Sequence, residues 1–195
     1  MAAARPAGPA AGRAHPWLVV IDMQRVFGEA GSPWFAPGAP AIEPVVARLI
    51  AAFGERVALT RFVAPGKPHG AWVPYYEQWP FALVPPGDAI WDLLPGIPAG
   101  GHPVITRTTF SKWDAELAGL VGDDLVLAGV STDCCVLSTA LAAADSGVRV
   151  RVVADACAGV STADHERALA AMALYAPLIT ITSSDAVLAE LAGAS

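Results

Sequence analysis

The sequence predicts an α/β protein: a three-layer αβα sandwich in which helices cover both faces of a six-stranded parallel sheet. Three observations carry this. Six short runs rich in Val, Ile and Leu alternate with segments of helical spacing, the order that builds βαβ units with right-handed crossovers. One run, Leu125-Val-Leu-Ala128, has no polar member, as a strand buried on both faces requires. Hydrophobic residues make up 54% of the 195 and charged residues 15%, a balance that supplies a core and argues against disorder.

The elements follow in order. Residues 17–22 (Trp-Leu-Val-Val-Ile-Asp) form the first strand, and a Gly/Pro-rich loop runs on to Pro40. Val45, Val46, Leu49, Ile50 and Phe53 share one helical face across residues 42–53, which stop at Gly54. Residues 56–60 read as the second strand, 103–106 as the third and 125–130 as the fourth. An alanine-rich helix over 134–146 ends at Gly147, a C-cap, and 148–154 form the fifth strand. Ser161-x-x-Asp164 resembles a capping box with Asp in place of Glu or Gln, opening a helix through Leu174. Residues 178–182 are the sixth strand and 184–191 the closing helix. With no internal repeat, residues 16–195 read as one domain. The first fifteen residues, Ala, Pro, Gly and Arg without an apolar h-region, read as a flexible tail and not a signal peptide.

Composition narrows the function. No apolar run approaches the roughly 20 residues of a membrane-spanning helix. A net charge of −6 without a basic stripe argues against a nucleic-acid partner. Cys134 and Cys135 are adjacent and Cys157 stands alone, too few and too badly spaced for a disulfide framework. Reduced thiols in a cytoplasmic compartment are the expectation. His15, His69, His102 and His165 share no ligand spacing, so no metal is expected, and no phosphate loop or nucleotide fingerprint calls for a cofactor. A small-molecule substrate at the edge of an open α/β sheet is compatible with this balance.

The richest stretch is Gly129-Val-Ser-Thr-Asp-Cys-Cys-Val136. It places a thiol where a strand ends and a helix begins, the edge at which open α/β sheets bind ligands and where the helix dipole favours a thiolate. The alternative is a small buried cysteine that packs like alanine. Asp22 closes the first strand as a proton acceptor or as a turn residue. Arg107 and Lys112 follow the third strand, Lys112 being one of two lysines against ten arginines. Residues 62–101 break the βα rhythm with Trp72, Tyr75, Tyr76, Trp79, Phe81 and Trp91. They read as a satellite cluster, a pocket wall or a subunit interface. His165 and Glu166 read as exposed polar residues in the first turn of a helix, and Asp155 as a turn acid.

These motifs resemble the isochorismatase-like cysteine hydrolases, the superfamily that includes nicotinamidases and carbamoylsarcosine-type amidohydrolases. The resemblance spans about residues 16–185. It rests on Asp22-Met-Gln24, on Gly129-x-x-Thr-Asp-x-Cys-Val136 running into Ser138-Thr-Ala140, and on Val152-Val-Ala-Asp155-Ala156. It implies a Rossmann-like six-stranded sheet and a catalytic Asp, Lys and Cys. Carried over by motif, Asp22 is the general base and Cys135, not Cys134, the nucleophile. A cis peptide is implied at Val130–Ser131, with the backbone N–H groups of Ser131 and Cys135 as the oxyanion hole. The implied chemistry is hydrolysis of a small amide or related C–N bond through an acyl-enzyme, without a cofactor, in a homo-oligomer. The rivals are vinyl ether hydrolysis using the Asp alone, and a non-catalytic binder on the same fold.

The chain departs from the pattern twice. The family lysine position, in this register, is Arg107, which holds charge but cannot shuttle a proton. Lys112 is therefore read as a relocated amine and Arg107 as an electrostatic partner. The alternative makes Lys112 an exposed loop residue and Arg107 a structural ion-pair partner. The second departure is Thr60-Arg-Phe-Val-Ala-Pro65, which lacks the Asp and histidines that nicotinamidases carry there for metal. Trp72, Tyr76 and Trp79 are expected to line a pocket that favours an apolar or aromatic substrate.

Overall fold

The structure, a computed structural model, describes residues 15–193; residues 1–14 of the expected tail lie outside them. Six parallel strands form one sheet: β1 (Trp17–Ile21), β2 (Val57–Phe62), β3 (Val104–Arg107), β4 (Asp124–Val130), β5 (Arg149–Ala158) and β6 (Ile179–Thr182). Their order across the sheet is β3-β2-β1-β4-β5-β6. The chain begins in the middle, builds outward to one edge, then returns to β1 and builds to the other. A crevice opens where the order reverses, beyond the carboxyl ends of β1 and β4.

Alternation along the strands separates two cores. Leu18 and Val20 point to one face and pack with Val46, Leu49, Ile50 and Phe53 of α2 (Ala39–Phe53) and Val187 of α7 (Ser184–Gly193). Val19 and Ile21 point to the other, toward α4 (Ala115–Val121), α5 (Leu137–Asp145) and α6 (Thr162–Ala173). The period of two in strand side chains thus produces the three layers. No helix of the described residues is long and apolar enough to cross a membrane.

Several elements differ from their sequence reading. Short helices α1 (Arg25–Gly28) and α3 (Trp72–Gln78) interrupt segments expected to be loop, and α4 begins where Asp114 accepts hydrogen bonds from the amides of Glu116 and Leu117, an N-cap. A π-helical turn over Thr132–Val136 precedes α5, so the helix expected from residue 134 starts three residues later. β5 continues past Ala154 to Ala158: the register shifts between Leu127 and Gly129, with the extra residues carried by β5 between Val152 and Cys157, so that Gly129 pairs with Cys157 and Val130 with Ala158. Asp155 lies within this extension. It accepts hydrogen bonds from the amide (2.7 Å) and hydroxyl (2.5 Å) of Ser184 and so anchors the start of α7.

Two side chains and one glycine tie the sheet together, one of them at the central crevice. Gln24 is fully buried. Its amide nitrogen donates to the carbonyls of Phe62 (2.9 Å) and Trp91 (2.8 Å), and its oxygen accepts from the Phe62 amide (2.7 Å). That satisfies both ends of the amide and clips the segment after β1 to β2 and to the aromatic segment. At the amino end of the sheet, Asp124 pairs with both Arg149 and Arg151, and Arg151 reaches Glu190 at 2.7 Å. Gly129, at φ 112°, lies so close to β1 that an added Cβ would stand 2.1 Å from the Ile21 carbonyl oxygen.

Two measurements check this account. Gly129→Ala adds left-handed strain to a backbone clash, so it is expected to lower stability by about 3 kcal/mol or more in urea denaturation; a loss under about 1 kcal/mol would mean the strands separate freely. Cys157 is buried, which pushes its thiol up to about 12. Its folded value lies above the ordinary ~8.5, so its stabilising contribution is complete below pH ~8.5 and declines as pH rises toward 12. The urea midpoint should fall over that window in wild type and fall less steeply in Cys157→Ala.

Candidate active site

β1 ends and the chain turns sharply at Asp22, whose φ of 47° lies in the left-handed region, one that Asp tolerates better than most residues. The turn directs the carboxylate back over β2. There the Asp22 amide donates to Thr60 Oγ1 at 3.2 Å, and Thr60 Oγ1 donates to Asp22 Oδ1 at 2.7 Å. The other oxygen, Oδ2, faces Lys112 Nζ at 2.9 Å. Both side chains are 0% exposed. Lys112 Nζ also donates to the Thr109 carbonyl at 2.7 Å and lies 5.0 Å from the centre of the Phe62 ring. A buried ammonium needs this kind of company: a counter-ion, a carbonyl and an aromatic face.

Cys135 sits in the π-helical turn after β4, 3% exposed. The peptide bond between Val130 and Ser131 is cis. Thr139, one helical turn on, joins two parts of the site. Its hydroxyl donates to the Cys135 carbonyl at 2.7 Å and accepts from the Lys112 amide at 3.0 Å. Burial holds the Cys135 thiol well above the ordinary cysteine range; the Asp22 charge and a hydrogen bond to Asp22 raise it further, and Lys112 opposes them. The resting group is therefore a neutral thiol, where the helix-dipole argument led to a thiolate. Desolvation outweighs the dipole at a site so deeply covered.

Cys135 opens onto a cavity of about 560 Å³. Phe27, Trp34, Phe62, Tyr75, Trp79 and Phe110 form much of its wall, with Ser131, Asp133 and Cys134 beside the thiol. Trp34 is the hub of these rings: it stacks on Phe27 at 6.0 Å and meets Phe62, Trp79 and Phe81 edge-on at 5.8, 6.2 and 5.0 Å. Asp133 is held from behind, accepting from the Ser131 hydroxyl and, at 3.1 Å, from the Val160 amide.

The structure brings Asp22, Lys112 and Cys135 together and leaves other expected residues outside. Arg107 does not face the cavity. It follows Ile105 by two residues on β3 and projects to the same side of the sheet, toward α4. Its guanidinium pairs there with Asp114 (2.5 Å) and Glu116 (2.6 Å). Of the three expected pocket aromatics, Trp79 lines the cavity and Trp72 and Tyr76 do not. Tyr75 and Trp79 are four residues apart and share the inner face at α3. Trp72 and Tyr76 form the adjoining face, stacked on each other at 6.0 Å. Tyr76 borders a separate shallow groove with Val73 and Leu83.

His165 is half-buried rather than a surface residue: its Nδ1 lies 2.8 Å from Thr132 Oγ1, and burial lowers its pKa. After β2, Val63, Ala64 and Pro65 offer no ligating side chains. Among the described residues no three His, Cys, Asp or Glu side chains converge on a point that could hold a metal ion. The residues present do not fit one.

The sequence reading missed Thr60, Thr139, Asp133 and Trp34. Thr60 carried a signal, as a polar residue in the apolar run Val57-Ala-Leu. Trp34 carried only its presence in a Gly/Pro-rich loop.

Comparison with known proteins bears on the family and the fold. The isochorismatase domain family matches residues 16–183. An isochorismatase domain-containing protein 2 from Xenopus laevis is 34% identical over 122 residues, 60% of this chain and 55% of that protein. The chain thus spans about half the length of such curated relatives. Among solved structures, a cysteine hydrolase from Pseudomonas syringae pv. phaseolicola 1448A superposes with a TM-score of 0.80 at 18% identity, over 92% of this chain and 93% of that one. A nicotinamidase/pyrazinamidase from Bacillus subtilis does so at 0.68 and 22%, over 85% and 98%; likenesses this remote speak to the fold. The family match over most of the chain carries the conclusion beyond the fold: this chain belongs to the isochorismatase domain family.

Proposed function

We propose that the protein hydrolyses a small amide or related C–N bond, with Cys135 as nucleophile, Asp22 as general base and Lys112 as the cation paired with Asp22. One observation carries the reading. A thiol at the floor of a cavity interacts with a buried carboxylate, and that carboxylate has an ammonium 2.9 Å away.

In the proposed cycle the Cys135 thiol proton passes to Asp22 as sulfur attacks the substrate carbonyl carbon. Charge develops on the carbonyl oxygen, next to the backbone N–H groups of Ser131 and Cys135. As the C–N bond breaks, the proton on Asp22 transfers to the leaving nitrogen, and a thioester remains on Cys135. Water then attacks the thioester carbonyl, giving a proton to Asp22; the C–S bond breaks and sulfur recovers the proton. A neutral resting thiol suits this order, since the thiolate forms only as attack begins.

Lys112 bears on the rival readings. A non-catalytic binder was suggested by arginine at the family lysine position, and the ammonium beside Asp22 supplies that cation from the next loop. A vinyl ether hydrolase using Asp22 alone gives no role to a thiol on the cavity floor.

Cys135→Ala should lower kcat by roughly 10³-fold or more on any amide turned over, and a mass adduct formed on wild type should vanish from it. Undiminished turnover in Cys135→Ala would remove the nucleophile assignment. Lys112→Ala strands a buried carboxylate, so about 3–5 kcal/mol of stability should be lost together with roughly 10²-fold or more in kcat. Arg107→Ala, by contrast, should stay within about 1 kcal/mol of wild type and within threefold in kcat/KM. The reverse ranking of these two variants would return the cation role to Arg107.

A further inference from the structure

The charges around the cavity are sharply unequal. Lys112 is wholly buried behind Cys135 and neutralised by Asp22, and Arg107 is turned to α4. Among the described residues no lysine or arginine lines the cavity, and Asp133 is the one carboxyl-bearing side chain that does. Asp133 Oδ1 is taken up by Ser131 and Val160, whereas Oδ2 receives only a long contact, 3.6 Å, from the Cys134 thiol. Opposite charge is therefore wanted at Oδ2. The remaining wall is ring upon ring, and the faces of Trp and Tyr are themselves negative. The neighbouring Cys134 registers this field: its thiol is raised to about 11, by burial first and then by the carboxylates of Asp133 and Asp164.

We infer that the cavity selects substrates whose non-reacting end is cationic, an ammonium or amidinium on an aromatic or alkyl body. The cation is seated against the rings of Trp34, Tyr75 and Trp79 with Asp133 as its counter-charge. For its scissile amide this rests on the amidohydrolase reading, but the charge preference stands on the cavity wall alone. An anionic ligand would meet a carboxylate and ring faces with no donor cation to replace its lost hydration. A cation meets a partner of each kind that stabilises it in a partly dry site, carboxylate and aromatic face. Asp133 acts here as a specificity determinant, two residues before the nucleophile and outside the proton path.

The test is calorimetric binding of three probes to the whole protein: benzyltrimethylammonium, benzyl alcohol and phenylacetate. The cation is expected to bind at least tenfold more tightly than either of the others. In Asp133→Asn, which keeps an oxygen acceptor for Ser131 and Val160, the cation's advantage over benzyl alcohol should shrink fivefold or more. Phenylacetate binding as tightly as the cation, or an unchanged advantage in Asp133→Asn, would overturn the inference. Should Asp133→Asn fail to fold, the wild-type ranking still decides, and Trp79→Leu should reduce the cation's advantage in the same direction. Because binding needs no turnover, a normal rate in Cys135→Ala would sink the amidohydrolase reading and leave this result intact, and the converse holds.

Discussion

The buried Asp22–Lys112 pair is the constraint around which this molecule is arranged. Removing a carboxylate and an ammonium from water costs several kcal/mol each, and their mutual attraction offsets that only with good geometry and further hydrogen bonds. Each requirement has a visible answer. Thr60 supports one carboxylate oxygen and the Thr109 carbonyl and the Phe62 face support the ammonium. The left-handed turn at Asp22 delivers the carboxylate to them. Strands β1, β2 and β3 thereby converge on a single electrostatic unit, and the thiol after β4 is placed against it. Burial holds the Cys135 thiol above the ordinary cysteine range, and the two charges of the pair act on it with opposite sign.

Much of the architecture was legible because burial on two faces leaves a plain mark. Runs such as Leu125-Val-Leu-Ala128 have no solvent side to accommodate, so strand positions and the parallel arrangement could be read from residue type. The convergence of Asp22, Lys112 and Cys135 at one sheet edge follows from the same pattern, since each stands just beyond the end of a strand. Where the reading failed, local pattern was competing with tertiary contact. Arg107 looked like a site cation by position along the chain, but strand alternation turns it with Ile105 toward α4, where Asp114 and Glu116 wait. The extension of β5 to Ala158 depends on an irregularity in its pairing with β4, where β5 carries the extra residues, a property of two strands that neither sequence run declares alone.

The aromatic segment shows a different limit. Its composition announced a satellite cluster, a pocket wall or a subunit interface, and the first two descriptions are each partly true. Helical spacing in α3 divides the segment: Tyr75 and Trp79 turn to the cavity, while Trp72 and Tyr76 turn to the core and the outer groove. Without the helix register the residues could not be sorted. Trp34 was harder still, because it reaches the cavity from a loop with no periodicity and gains its place only by meeting rings from several distant segments.

Thr139 has a consequence for remodelling the protein. Its one hydroxyl holds the Cys135 carbonyl and the Lys112 amide at the same time, so the spacing between sulfur and amine is gauged from the rigid start of α5. Of the cavity's rings, Phe62 bears on that gauge through its face against Lys112, and Trp34, Tyr75 and Trp79 take no part in the Thr139 hydrogen bonds. Rings at Trp34, Tyr75 and Trp79 are therefore open to wholesale replacement in a directed library, with the reacting groups staying aligned, whereas position 139 belongs among the residues such a library leaves alone.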